Sequence, residues 1–133
     1  MSDADAVLFA NEVFYRAFTT RDIKALREIW ADAPGISCTH PGWNPVIGRT
    51  AVMESFRSIL EGPNPPAIRC IGAQAFVYGA SAYVLCHEEL NGNYLTATNL
   101  FIQVGRQWRM VHHHAGPAAG PPQIAETPAQ PMN

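Results

Sequence analysis

The stretch Ser81-Ala82-Tyr83-Val84-Leu85-Cys86-His87-Glu88-Glu89-Leu90-Asn91-Gly92-Asn93-Tyr94-Leu95-Thr96-Ala97-Thr98-Asn99-Leu100-Phe101-Ile102-Gln103-Val104 decides the fold. Asn91-Gly92 is the strongest short hairpin signal in the chain, because both central positions of a type I′ turn need positive φ. On either side, Ser81 to Leu90 and Tyr94 to Val104 are rich in β-branched and aromatic residues with a period of two. A two-residue turn here sets Cys86 and Glu88 opposite Ala97 and Leu95, on one face with Asn99 and Phe101. Gly105-Arg106 makes a second tight turn into a strand from Gln107 to Ala115. Upstream, Ala67 to Gly72 and Gln74 to Tyr78 read as two short strands around Gly72.

Towards the N-terminus the period becomes helical. Val7, Ala10, Phe14, Ala17 and Phe18 form the stripe of a helix from about Asp3 to Thr19. Thr20 is expected to cap a second helix, Arg21 to Ala31, with Ile23, Leu26, Ile29 and Trp30 as its stripe. After Pro34-Gly35, Ile36 to His40 reads as a short strand, and Pro41-Gly42-Trp43-Asn44-Pro45 as a loop. Thr50 is a candidate cap for a third helix ending near Leu60 before Gly62-Pro63. Three helices with one inserted strand, followed by hairpin-connected strands, predict an α+β domain with its helices segregated from an antiparallel sheet. Five of the eleven prolines fall from Pro117 to Pro131, so residues 1–116 are read as the domain and 117–133 as a Pro/Ala-rich tail.

Composition bounds the function. With 133 residues, 47% hydrophobic and 15% charged, the chain has the size and apolar content for one domain with a core. The net charge of -2 and nine scattered Lys and Arg residues argue against nucleic acid, which needs a basic face. No apolar run approaches the ~18 residues of a membrane span. The acidic start, Met1 to Asp5, lacks the pattern of a signal peptide. Cys38, Cys70 and Cys86 are widely spaced without a C-x-x-C pair, which suits free thiols and a cytoplasmic location.

Several residues could carry chemistry. In His112-His113-His114, the outer two share one strand face and His113 takes the other. Parity alone does not say which face is interior. The bulk of Trp108 and Met110, in phase with His112 and His114, favours that pair as the inner and catalytic one. Their Cα atoms would lie about 7 Å apart, a spacing that is also a metal half-site, with His40, Glu88 or Cys86 as third ligand. Hydrogen-bonded lining and acid–base work outweigh that reading, and neither a metal nor another cofactor is assigned. Glu88 on an apolar inner face would have a raised pKa suited to a general base. Tyr15, His40, Trp43, Cys86, Asn99 and Phe101 complete the candidate ligand-binding set. No phosphate loop, nucleophile elbow or dinucleotide fingerprint is present.

The run Asn11-Glu12-Val13-Phe14-Tyr15-Arg16 leading into Arg21-Asp22-Ile23 and Leu26, Ile29 and Trp30 resembles the opening of SnoaL-like domains of the NTF2-like superfamily. Gly48-Arg49 ahead of Ala51-Val52, and Trp108 to His114, are similar to its third helix and closing strand. The resemblance spans about residues 5 to 116. It implies an NTF2-like cone, a strongly bent antiparallel sheet with three N-terminal helices enclosing a small, polar-floored pocket, commonly a homodimer paired through the outer face of the sheet. It also implies a range of activities: polyketide cyclases, ketosteroid isomerases, dehydratases, calmodulin-kinase association domains and transport factors. Two expectations follow from it. One is a cofactor-independent isomerase, cyclase or dehydratase taking a small apolar or planar carbonyl or carboxylate ligand. The other is a non-catalytic oligomeric association module.

Overall fold

The computed structural model describes residues 1–123. Helix α1 (Asp3–Thr19) is capped by the Ser2 side chain, which accepts from the Asp5 amide, with Asp3 and Asp5 at its positive end. Helix α2 (Ile23–Ile29) is shorter than its hydrophobic period suggested, and its cap is Asp22, which accepts from the Ala25 amide. Thr20 instead ends α1: its hydroxyl donates to the Arg16 carbonyl, and Arg21 at φ 57° breaks the helical path. Short strands β1 (Ser37–Thr39) and β2 (Val46–Ile47) bracket the Pro-rich loop, and β2 was not foreseen. Helix α3 (Arg49–Leu60) starts one residue before Thr50, after Gly48 at φ 99°.

The first long strand, β3 (Ile68–Tyr78), is continuous rather than two pieces. Its register slips between Ile71 and Gln74, where Gly72 at φ 67° forms a bulge, so the glycine bends the strand without ending it. Strands β4 (Ser81–Leu90), β5 (Asn93–Val104) and β6 (Gln107–Pro117) follow as antiparallel neighbours. Glu88 faces Leu95 and Cys86 faces Ala97, the register set by the Asn91-Gly92 turn. The sheet order is β2-β1-β6-β5-β4-β3, a curled sheet that does not close. Of residues 117–133, Ala118 donates its amide to Tyr94, while 124–133 lie outside the described residues.

Helices α1, α2 and α3 close the concave side. Arg49 ties their ends together by donating to the carbonyls of Arg27, Trp30 and Ala31, which caps the end of α2 from the start of α3. Beneath them the concave space is filled by aromatic rings. Phe56 meets Phe14 and Trp30 at centroid distances of 5.8 Å each and His40 at 4.9 Å. These edge-on and tilted contacts are the favourable arrangements for rings with negative faces and positive edges. Phe56→Ala should therefore cost about 3–5 kcal/mol in urea unfolding; a loss under about 1 kcal/mol would show that the rings are not packed as described.

Candidate active site

Five polar side chains meet at the floor of this interior: Asn11 and Tyr15 from α1, Glu88 from β4, Asn99 from β5 and His113 from β6. Each is at most 6% exposed. Burying such groups is costly unless they bond one another, and they do. The Tyr15 hydroxyl donates to Glu88 Oε2 at 2.5 Å, a length typical of an O–H on a carboxylate. Asn99 Nδ2 donates to Asn11 Oδ1 at 2.8 Å and to the Tyr15 oxygen at 3.2 Å. Its Oδ1 then faces His113 Nδ1 at 2.6 Å. Since that oxygen only accepts, His113 carries its proton on Nδ1 and leaves Nε2 as a lone pair. His113 Nε2 lies 3.9 Å from Glu88 Oε2, beyond a hydrogen bond and close enough for one atom to touch both. The Cys86 sulfur lies 3.3 Å from the Tyr15 hydroxyl, whose proton goes to Glu88, so the thiol is the donor there.

Local sequence explains these positions. Asn11 and Tyr15 are four residues apart on the buried stripe of α1 and so stack on one helical face. Cys86, Glu88 and Asn99 alternate inward on β4 and β5 as the period of two requires. His113 is the exception. On β6, Trp108 and Met110 point inward as expected, but Phe101 faces Met110 while Leu100 faces His112. Val111 is thus an extra residue in the ladder, and every side chain beyond it changes face. The expectation of His112 and His114 inside is corrected. His113 is buried against Asn99, whereas His112 bonds Ser37 at 2.7 Å on the outer face and His114 is exposed. A metal set joining that pair to His40, Glu88 or Cys86 is not assembled, because the sheet separates them. Among the described residues no three His, Cys, Asp or Glu side chains converge for a metal.

The other expected residues divide as follows. His40 is buried and bonds Ser55 at 2.9 Å, and its ring meets the half-exposed Trp43 at 4.8 Å. Phe101 is core packing between Ala82 and Met110. Sequence reading passed over Asn11, whose signal was an amide on an otherwise apolar helical stripe. It also passed over Ser55 and Cys70, the latter a sulfur acceptor for Asn11 Nδ2 at 3.7 Å. Clefts of about 490 and 670 Å³ reach Tyr15 from outside, between α1 and β3, and neither is lined by Glu88, Asn99 or His113.

Burial sets the proton affinities. It raises the Glu88 carboxyl, an effect the Tyr15 hydrogen bond partly offsets. It lowers His113 to about 3, with His40, His112 and His114 adding repulsion, and His40 to about 4. Burial, then the charge of Glu88, lifts Tyr15 above its ordinary value, so it remains a donor. The site holds two neutral imidazoles, a protonated phenol and a carboxylate more basic than usual.

Residues 7–120 match the SnoaL-like domain family, and the chain belongs to that family. A Streptomyces avermitilis structure, provisionally named a dehydratase of the NTF2-like family, is 30% identical with a TM-score of 0.80. That match covers 89% of this chain and 97% of the other. A Thiobacillus denitrificans structure, provisionally named a calcium/calmodulin-dependent protein kinase type II association domain, is 28% identical with a TM-score of 0.75 over 82% and 92%. F-box protein SKIP8 of Arabidopsis thaliana is 22% identical over 112 residues, 83% of this chain, and the chain spans about half of that protein's length.

The lowered histidines make stability depend on pH. Their folded pKa values lie below the unfolded one, so their contribution is full above about pH 6.5 and is lost as pH falls towards 3–4. Each should cost about 2 kcal/mol at pH 5 relative to pH 8. Glu88, raised on folding, acts oppositely: its contribution is full below its unfolded pKa and is lost as pH rises through the folded one. Urea unfolding of the wild type should weaken from pH 8 to pH 5, and His113→Gln should flatten that dependence. An unchanged slope in the variant would mean that His113 titrates normally in the folded chain.

Proposed function

We propose that the chain is a small-molecule acid–base enzyme of the isomerase, cyclase or dehydratase kind. In this reading Glu88 takes a carbon-bound proton from a substrate carrying a carbonyl or carboxylate. The single observation behind it is the closed chain His113–Asn99–Tyr15–Glu88 inside an apolar interior. A fold needs no carboxylate there, and apolar residues of the same volume would often serve stability as well or better. Burial gives Glu88 the affinity to hold a proton drawn from carbon, and Tyr15 fixes the oxygen that faces His113. Glu88 itself returns the proton to the product, because His113, lowered to about 3 by burial, is too weak a base to take it. Tyr15 and Asn99 orient the pair, a positioning role. The likeness to the Streptomyces avermitilis protein supports elimination of water as one form of this chemistry.

The test is proton exchange and dehydration of a panel of β-hydroxy ketones and β-hydroxy acids in deuterium oxide, followed by NMR. Glu88→Gln keeps the volume and should lower kcat by at least ~100-fold, the usual contribution of a positioned base, while the protein remains folded by circular dichroism. Wild-type kcat should rise with pH through the raised pKa of Glu88. Full activity in Glu88→Gln, or no turnover of any panel member, would overturn the reading.

A second reading, self-association, is favoured by the outer face of the sheet. Leu85, Leu100, Val104 and Tyr78 are 41%, 37%, 52% and 66% exposed there, beside the stacked rings of Phe76 and Tyr83. An apolar patch of this kind fits a second copy of the chain, paired as a homodimer through the sheet. The likeness to the Thiobacillus denitrificans protein supports association as a role, without bearing on the face used. Sedimentation should show a dimer at micromolar concentration that Leu100→Glu dissociates. A wild-type monomer would remove this reading and leave the acid–base one untouched.

A further inference from the structure

The floor of polar side chains is walled from the helical side by Phe14, Trp30 and Phe56, and a ligand must reach it another way. Strand β3 is the edge of the sheet, and α1 lies along it. The two clefts of about 490 and 670 Å³ both border Glu12, Tyr15 and Cys70, so they meet in one furrow between α1 and β3. Their volumes fall within the roughly 300–1,000 Å³ of small-molecule sites. The N-terminal half sets the Asn11 amide among Leu8, Ala73 and the exposed Phe9, with the carboxylates of Asp5 and Glu12 also on its lining. Ala73 stands in the β3 bulge, where two residues occupy the place of one.

The Asn11 amide is the group on this wall with capacity to spare. Its Oδ1 is used by Asn99, but the acceptor found for its Nδ2 donors is the Cys70 sulfur at 3.7 Å. Sulfur is a weak acceptor, and Asn11 is only 1% exposed, so a carbonyl oxygen arriving there would replace a poor bond with a good one. The same oxygen would sit one helical turn from Tyr15, whose hydroxyl holds Glu88.

We propose that the furrow between α1 and β3 is the ligand site: it takes a small apolar ketone, whose oxygen accepts from Asn11 Nδ2 in place of Cys70 and whose carbon skeleton lies against Leu8, Phe9 and Ala73. This rests on the acid–base reading only for its consequence. The carbonyl end would be delivered beside Tyr15 and Glu88, and binding is measured without turnover.

Cys70 supplies the reporter. It borders the furrow, whereas Cys38 is fully buried and Cys86 is 5% exposed. Iodoacetamide should therefore alkylate Cys70 at least tenfold faster than either, as read by peptide mass spectrometry. The naphthyl ketone prodan is the probe, its fluorescence reporting transfer from water. It should bind saturably and slow Cys70 alkylation at least fivefold. Ala73→Trp, which fills the bulge side of the furrow, should weaken prodan binding at least tenfold. Ala33→Trp, in the separate cleft beside α2 and α3, should leave it unchanged. Absence of prodan binding, alkylation indifferent to bound prodan, or binding that survives Ala73→Trp would each overturn the proposal. If prodan binds as described while Glu88→Gln retains full turnover, the site stands and the assignment of the base fails.

Discussion

A carboxylate, an imidazole, a phenol and two carboxamides lie in an interior that is otherwise mostly apolar, and this mutual need for partners organises the structure. In such surroundings an unbonded amide costs about 1–3 kcal/mol and an unpaired charge more. The five groups escape that cost by bonding in one chain from Asn11 through Asn99 to His113, and through Tyr15 to Glu88. The chain crosses from α1 to β4, β5 and β6, so it fixes the rotation of α1 over the sheet more narrowly than apolar contacts would. It also fixes proton positions: once Asn99 donates to Asn11 and Tyr15, its oxygen demands a proton from His113 Nδ1.

Two irregularities in the ladder make this arrangement reachable. The extra residue at Val111 turns β6 so that Trp108 and Met110 before it, and His113 and Ala115 after it, all serve the interior. A regular strand would have placed either the tryptophan or the histidine in solvent. The bulge at Gly72 and Ala73 does the reverse on β3, bending the edge strand where α1 crosses it and where the furrow runs in towards Tyr15. Both sit where regular pairing would work against a site, a frequent placing for bulges.

One fold can carry many functions, so membership of the SnoaL-like family does not choose among them. In this chain the two faces of the sheet differ in kind. The inner face carries the hydrogen-bonded acid–base groups. The outer face carries stacked aromatics and exposed leucines, with His112 and His114 among them. Because β-strand side chains alternate, either face can be used without altering the other, and chemistry within does not conflict with association without.

Much of the architecture was legible in the chain itself. Asn91-Gly92 set the register that puts Cys86 and Glu88 opposite Ala97 and Leu95, since only a tight turn with two positive φ angles joins these strands. The period of the apolar residues located α1 and α3, and alternation correctly grouped Glu88, Asn99 and Phe101 on the inner face. The ends of α2 were misplaced, because Thr20 and Asp22 are both competent caps and the turn at Arg21 chose between them. What the sequence could not decide was the face of the histidines. An extra residue in a ladder changes no local propensity, and Val111 is as good a strand residue paired as bulged. That choice was made by tertiary structure: the interior had room for Trp108 and Met110 at one end of β6, and at the other an Asn99 oxygen that only His113 could satisfy.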